Sequence, residues 1–168
     1  MAWPFLCNGI GYIPLWGKDE NGVTIVRAWA LVDARDFPDI ARFRWHLLGG
    51  RYANRWTGGR APRRKGELMH RRVLGLQWGD GRETDHINRN KLDNRRANLR
   101  VGSHAENAQN LPSYRGSSSG YRGVSRHVES GQWLVNVGGR FLGSFELEES
   151  AAQVARSGRE RHMPYAVD

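Results

Sequence analysis

The sequence predicts an α+β protein: a β-rich amino-terminal region, a hairpin-and-helix segment in the middle, and a three-stranded antiparallel sheet packed on one helix at the carboxy terminus. Three observations carry that expectation. Short runs of β-branched and aromatic residues recur between glycine, proline and asparagine punctuation. Ser103-His104-Ala105-Glu106 has the Ser-x-x-Glu form of a capping box, which starts a helix just after Ser103. The stretch 112–120, PSYRGSSSG, has the composition of a flexible connector and precedes a second set of strand patterns. The divisions expected are 1–78, 79–111, 112–120 (the linker) and 121–168.

In the first region, residues 11–15, 23–32 and 52–56 read as strands, while Phe37, Ile40, Phe43 and Trp45 recur at roughly helical spacing within 36–45. Trp16, Trp29 and Trp45 each lie in an apolar pattern and are expected in the core. Residues 58–65, GGRAPRRK, are too rich in glycine, proline and charge for a strand; as a basic loop they can follow a phosphate backbone through Arg63, Arg64 and Lys65. A short strand containing Thr84 is expected after the turn Gly79-Asp80-Gly81, followed by a polar loop over 88–94. Beyond the linker, residues 120–124, 132–137 and 139–146 read as three strands and 148–159 as a helix.

Charge singles out the middle. The chain of 168 residues carries a formal net charge of +9. Residues 1–50 hold five basic and five acidic side chains, 116–168 six of each, and 51–115 fifteen basic against six acidic. The excess therefore lies where a polyanion would dock. Cys7 alone can form no internal disulfide, and no cysteine pair is present for a structural zinc. With no signal segment and no apolar run approaching the roughly 20 residues of a membrane span, a cytoplasmic location and no membrane partner are expected.

The run 84–99, TDHINRNKLDNRRANL, places an acid beside an imidazole and follows them with a series of asparagines. Neighbouring residues in a regular strand point to opposite faces, so Asp85 and His86 share a site only at a strand end or in a loop. An imidazole with an ordinary pKa of about 6.5 accepts a proton near neutrality. A carboxylate joined by an amide oxygen suits a hard divalent ion, Mg2+ or Mn2+, better than zinc.

In residue type and spacing this run, with SHAENAQN after it, resembles the HNH nuclease motif of the phage and intron-encoded subclass. The resemblance implies a ββα-metal core in which His86 and Asn98 form the catalytic set, His86 as general base, and Asp85 and Asn107 hold the metal. The role expected of Asn98 is structural, its amide tying the loop backbone across the site. His104, three residues before Asn107, is the alternative occupant of the last motif position. His70, in LMHRRVLGL, either stacks in the hairpin core or approaches DNA. Arg82, Arg89 and Arg95 are expected to move the His86 pKa downward.

The residues YRGV, Trp133, LGSF and ESAA, in that order, resemble the plant ethylene-response-factor type of DNA-binding domain. That resemblance implies DNA contacts from Arg122, Arg126, Trp133 and Arg140, although Trp133 could equally lie under the helix. With Glu146, Glu148, Glu149 and Glu160 on or beside the helix, a basic sheet face is expected. The reading that follows is a metal-dependent HNH endonuclease of the phage or homing type, hydrolysing duplex DNA and nicking it as a monomer. A DNA-binding regulator with a decayed site and a nuclease of structured RNA are the alternatives.

Overall fold

Asn8 and Gly9 set the first hairpin, because both take positive φ, 48° and 76°, as a two-residue turn between twisted strands requires. They join β1 (Phe5–Cys7) to β2 (Ile10–Lys18), with Cys7 opposite Ile10. The computed structural model describes residues 2–58, 65–111 and 118–167. They fall into two compact units, Met1–Val101 and Gly102–Asp168.

Strand β2 organises the first unit. Along one edge it pairs antiparallel with β3 (Thr24–Asp33). Its other edge is divided between β1 and a short parallel pairing of Leu15 and Trp16 with β4 (Trp45–Leu48). Antiparallel β5 (Tyr52–Thr57) and β6 (Lys65–Leu68) complete a six-stranded sheet. Alternate residues Ile13 and Leu15, Ala30 and Val32 turn to one face, where they meet Ile40, Trp45, Ala53, Met69, Val73 and Leu99 in one core. Ile40 comes from α1 (Phe37–Ile40), and Met69 and Val73 from α2 (Met69–Val73). Leu99 opens β8 (Leu99–Gly102), which pairs with β7 (Glu83–His86). Through Leu99 and Leu92 the segment after β7 joins the core of the amino-terminal sheet.

The helical spacing read over 36–45 holds for one turn only. The helix ends at Ile40 and Trp45 begins a strand, because its indole, fully buried, donates to the Ile40 carbonyl at 2.9 Å and is worth more in the sheet core than on a longer helix. Of the three tryptophans expected inside, Trp45 alone is in the core. Trp16 is half-buried beneath the Arg44 guanidinium, 4.7 Å from the ring centroid, and Trp29 is exposed, meeting Phe5 edge-on. The core face of β3 is carried instead by Ala30 and Val32. Cys7 is free and exposed.

The second unit begins with α3 (His104–Ala108), started by the Ser103 capping box: Ser103 Oγ accepts from Glu106 N, and Glu106 Oε2 accepts from Ser103 N at 2.7 Å. It continues with β9 (Val124–Arg126), β10 (Trp133–Val137), β11 (Arg140–Phe145) and α4 (Glu148–His162). The sheet is antiparallel in the order β11-β10-β9, with a turn at Gly138 and Gly139, both at positive φ. Val124, Val135 and Val137 pack against Ala151 and Ala155 of α4. The first of these strands is shifted from 120–124 to Val124–Arg126, since Gly123 at φ 84° turns the chain and a Cβ there would lie 2.8 Å from the Asn136 carbonyl oxygen. Tyr165 N donates to Gln109 Oε1 at 3.1 Å, and α3 and the carboxy-terminal sheet belong to one unit. Ser118, Ser119 and Gly120 form bends; residues 112–117 lie outside the described residues, as do Arg63 and Arg64 of the basic loop. Among the described residues no helix is long and apolar enough to cross a membrane.

Candidate active site

Strand β7 ends at His86, so Asp85 and His86 are its last two residues, and both are buried. The chain then turns sharply: Arg89 N donates to the His86 carbonyl at 2.8 Å, and Arg89 itself has φ 62°. The asparagine series builds the loop that follows. Asn88 Oδ1 accepts from Asn90 N at 2.9 Å and Asn90 Oδ1 accepts from Leu92 N at 3.1 Å, each side chain standing in for a backbone turn acceptor two residues ahead. Asn98, at the end of a 3-10 turn Arg96–Asn98, crosses the loop: its Oδ1 accepts from Asn88 N and its Nδ2 donates to the Asp93 carbonyl, both at 2.8 Å.

The loop is also stitched to β3. Leu31 N donates to Leu92 O, and Asn94 N donates to Leu31 O, both at 2.8 Å. Asp33 accepts from Arg96 N at 2.8 Å, and the Arg96 guanidinium reaches Asp36 at 2.9 Å. Asp93, 2 % exposed, is satisfied by the Arg95 guanidinium at 2.7 Å on each oxygen and by Asn88 Nδ2 at 3.0 Å, and Arg95 holds its carboxyl below the usual range.

Asp85 Oδ2 accepts from both Nε and Nη2 of Arg100, at 3.0 and 2.7 Å, while Lys91 Nζ stands 4.0 Å from Oδ1. His86 Nε2 donates to Asn94 Oδ1 at 3.3 Å, and the amide is oriented by its own Nδ2 donating to Leu92 O at 3.1 Å. An amide oxygen only accepts, so the neutral ring keeps its proton on Nε2 and its lone pair on Nδ1. Burial lowers the His86 pKa, the Asn94 hydrogen bond opposes this, and the Lys91 charge lowers it further. The direction expected from sequence is met, but the causes are burial and Lys91; Arg82 and Arg95 are engaged by Asp80 and Asp93.

His70 of α2, 4 % exposed, lies edge-on to His86 with ring centroids 5.0 Å apart and an interplanar angle of 87°. Tyr52 of β5 completes the cluster, 5.7 Å from His70 and 6.4 Å from His86. Of the two placements left open for His70, the structure selects the packed one. Burial first, and then the charges of His86, Arg71 and Lys91, push its pKa down to about 3. The sequence reading missed Tyr52, Asn94, Arg100 and Lys91; Asn94 and Lys91, both inside the asparagine-rich run, carried a local signal.

His104 and Asn107 lie on α3 in the second unit, where His104 is exposed and Asn107 half-buried. A Cβ at Gly102 would sit 3.3 Å from Asn107 Oδ1 and 2.8 Å from the Tyr165 ring, so glycine is what lets that amide and ring close in. Among the described residues there is no group of three or more His, Cys, Asp or Glu able to hold a metal. The donors that the motif offers, one carboxylate and one amide oxygen, fit a hard ion that keeps most of its own water and poorly fit zinc.

Lys65 is exposed, with its ammonium 5.3 Å from the Trp78 ring centroid. In the second unit, Arg126 is the cross-strand partner of Trp133 and sets its guanidinium 5.7 Å over that ring, while Arg140 is opposite Val137. Trp133 packs against the core on the side of α4, and the Arg122 carbonyl accepts from Arg159 Nη1. By register the other face presents Ser125, Leu134, Asn136, Phe141 and Ser144. The expected basic sheet face is therefore absent among the described residues: the pleat places Arg126 and Arg140 at the rim of the helix side.

Residues 68–109 match the family model described as HNH endonuclease. The matched stretch runs from the end of β6 through α2, β7, β8 and α3 and includes His70. No curated protein and no solved structure matches the chain.

Because the His70 pKa falls from 6.5 in the open chain to about 3 when folded, the unfolded chain takes up the proton first. Stability is therefore full above pH 6.5 and is lost as pH falls below it. His70 should cost the fold roughly 2 kcal/mol between pH 7 and pH 5. Urea midpoints at the two values should show that loss, and His70→Phe should reduce it.

Proposed function

We propose that this protein is a metal-dependent HNH endonuclease of the phage or homing type that hydrolyses phosphodiester bonds in duplex DNA, nicking one strand as a monomer in the cytoplasm of a bacterial host or phage-infected cell. The observation that carries the reading is the buried Asp85-His86 pair at the end of β7, with an unprotonated imidazole held on one side and a carboxylate on the other. His86 Nδ1 takes the proton of the attacking water. Asn94 fixes the ring through Nε2, and His70 and Tyr52 confine it. Asp85 and Asn107 would hold Mg2+ or Mn2+, which would supply charge stabilisation for the crowded phosphate and the leaving oxygen. Asn98 acts through the backbone, keeping the loop closed behind the pair. One such site cuts one strand.

The second unit is proposed as the element that selects the site on DNA, resembling the ethylene-response-factor type in its order of motifs and in its sheet of three strands on one helix. Of the residues the resemblance names, Arg122, Arg126 and Arg140 are its contacts, while Trp133 packs on the helix side beneath the Arg126 guanidinium. Arg63, Arg64 and Lys65 add phosphate contacts without sequence preference.

On supercoiled plasmid with Mg2+, His86→Ala should lower single-turnover nicking by at least about a hundredfold while leaving DNA affinity nearly unchanged. Asp85→Ala and Asn107→Ala should abolish nicking and weaken Mn2+ binding. Nicking by Asn107→Ala together with a dead His104→Ala would move the last ligand to His104, and wild-type rates for His86→Ala would refute the mechanism. A second experiment addresses site choice. The double substitution Arg126→Ala/Arg140→Ala should weaken binding to a cleaved duplex more than to random duplex, with turnover at saturation retained; equal loss on both would assign these arginines to the phosphate backbone alone.

A further inference from the structure

We propose that Lys91 is the resident counter-cation of Asp85, which yields that place to the divalent ion and then binds the scissile phosphate. The proposal rests on the endonuclease reading above. Two cations approach Asp85, one at each oxygen. Oδ2 receives two hydrogen bonds from Arg100, a planar fork only 19 % exposed on β8, whereas Oδ1 faces the Lys91 ammonium at 4.0 Å. Lys91 sits on the asparagine-built loop, its side chain 32 % exposed, with its ammonium 6.0 Å from the Tyr52 ring. Among the described residues, Asp85 is its one carboxylate within 4.0 Å.

A divalent ion on Asp85 and an ammonium beside the same oxygen repel each other, so one cation must move. Arg100 is the poorer candidate, being hydrogen-bonded twice through a rigid group. Lys91 has a flexible four-carbon stem, donates in any direction and is already partly in water. Its anchor stays on the loop, so the displaced ammonium remains near the place where an attacked phosphate must lie, within reach of both His86 and the ion. There a phosphate oxygen offers the negative charge that Asp85 no longer supplies. Before metal arrives, the same ammonium adds to Arg100 in neutralising a buried carboxylate. A lysine serving only this second purpose would leave turnover of the metal-saturated enzyme unchanged, and that difference makes the proposal testable.

The test uses the full chain with Lys91→Met, Lys91→Gln and Lys91→Arg. Mn2+ binding without DNA is followed by electron paramagnetic resonance of the free ion, and nicking of supercoiled plasmid is measured in single turnover at saturating Mn2+. Lys91→Met should bind Mn2+ roughly three- to tenfold more tightly, since a competing cation is gone. Its nicking should nevertheless fall about a hundredfold, the loss typical of one donor to a developing charge. Lys91→Arg should recover most of the rate, and Lys91→Gln replaces the methionine variant if circular dichroism shows that one unfolded. Unchanged or weaker Mn2+ binding by the neutral variants overturns the displacement, and unchanged nicking overturns the phosphate role. Asp85→Asn separates the two levels. If it loses both Mn2+ binding and nicking, the endonuclease reading stands and the Lys91 variants alone decide the proposal; if it nicks like the native chain, the reading fails and the proposal with it.

Discussion

A carboxylate and two imidazoles lie nearly out of contact with water at the end of a four-residue strand, and the rest of the first unit is arranged around what that requires. Burying a charge is tolerable only beside an opposite charge, and burying an imidazole only in its neutral form. Arg100 meets the first demand at Asp85, and low pKa values meet the second at His70 and His86. The Asn98 amide then shuts the loop, and Leu31, Asp33 and Asp36 tie it to β3 and its following turn. Without these ties the loop backbone would expose the pair to water, and the neutral state of His86 would lose its cause.

The basic excess of the middle segment is less uniform than its composition implies. Asp93 engages Arg95, Asp36 engages Arg96, Asp80 engages Arg82, and Asp39 with Glu67 engages Arg72. These pairs neutralise much of the arginine charge locally, and those of Arg95 and Arg96 also hold the loop in place. A polyanion therefore meets a surface whose attraction is more selective than a count of residues suggests, and individual cations such as Lys91 gain weight accordingly.

Much of this was legible in the sequence because it is local. The Ser103 capping box, the strand-end position of Asp85 and His86, and the backbone tie by Asn98 all depend on residues within about a dozen positions of one another. What was not legible depends on distant partners. Nothing near Trp45 says that its indole will cap Ile40 and begin a strand, and nothing near Trp29 says that Ala30 will take the core face in its place. His70 meets His86 across sixteen positions of sequence, and Tyr52 meets both from another strand. The face occupied by Arg126 and Arg140 depended on register, which a one-residue shift reverses.

The bridge between β3 and the asparagine loop bears on how the matched segment can be inherited or transplanted. Leu31, Asp33 and Asp36 lie well before the residues that match the family, yet they complete its hydrogen bonding and neutralise its Arg96. A gene fragment covering only the matched residues would encode the reactive pair without the strand that braces it. Recombination between relatives is therefore most tolerable when the whole first sheet travels with the motif, and a graft onto a foreign scaffold must bring a strand with an acceptor and a donor at the place of Leu31.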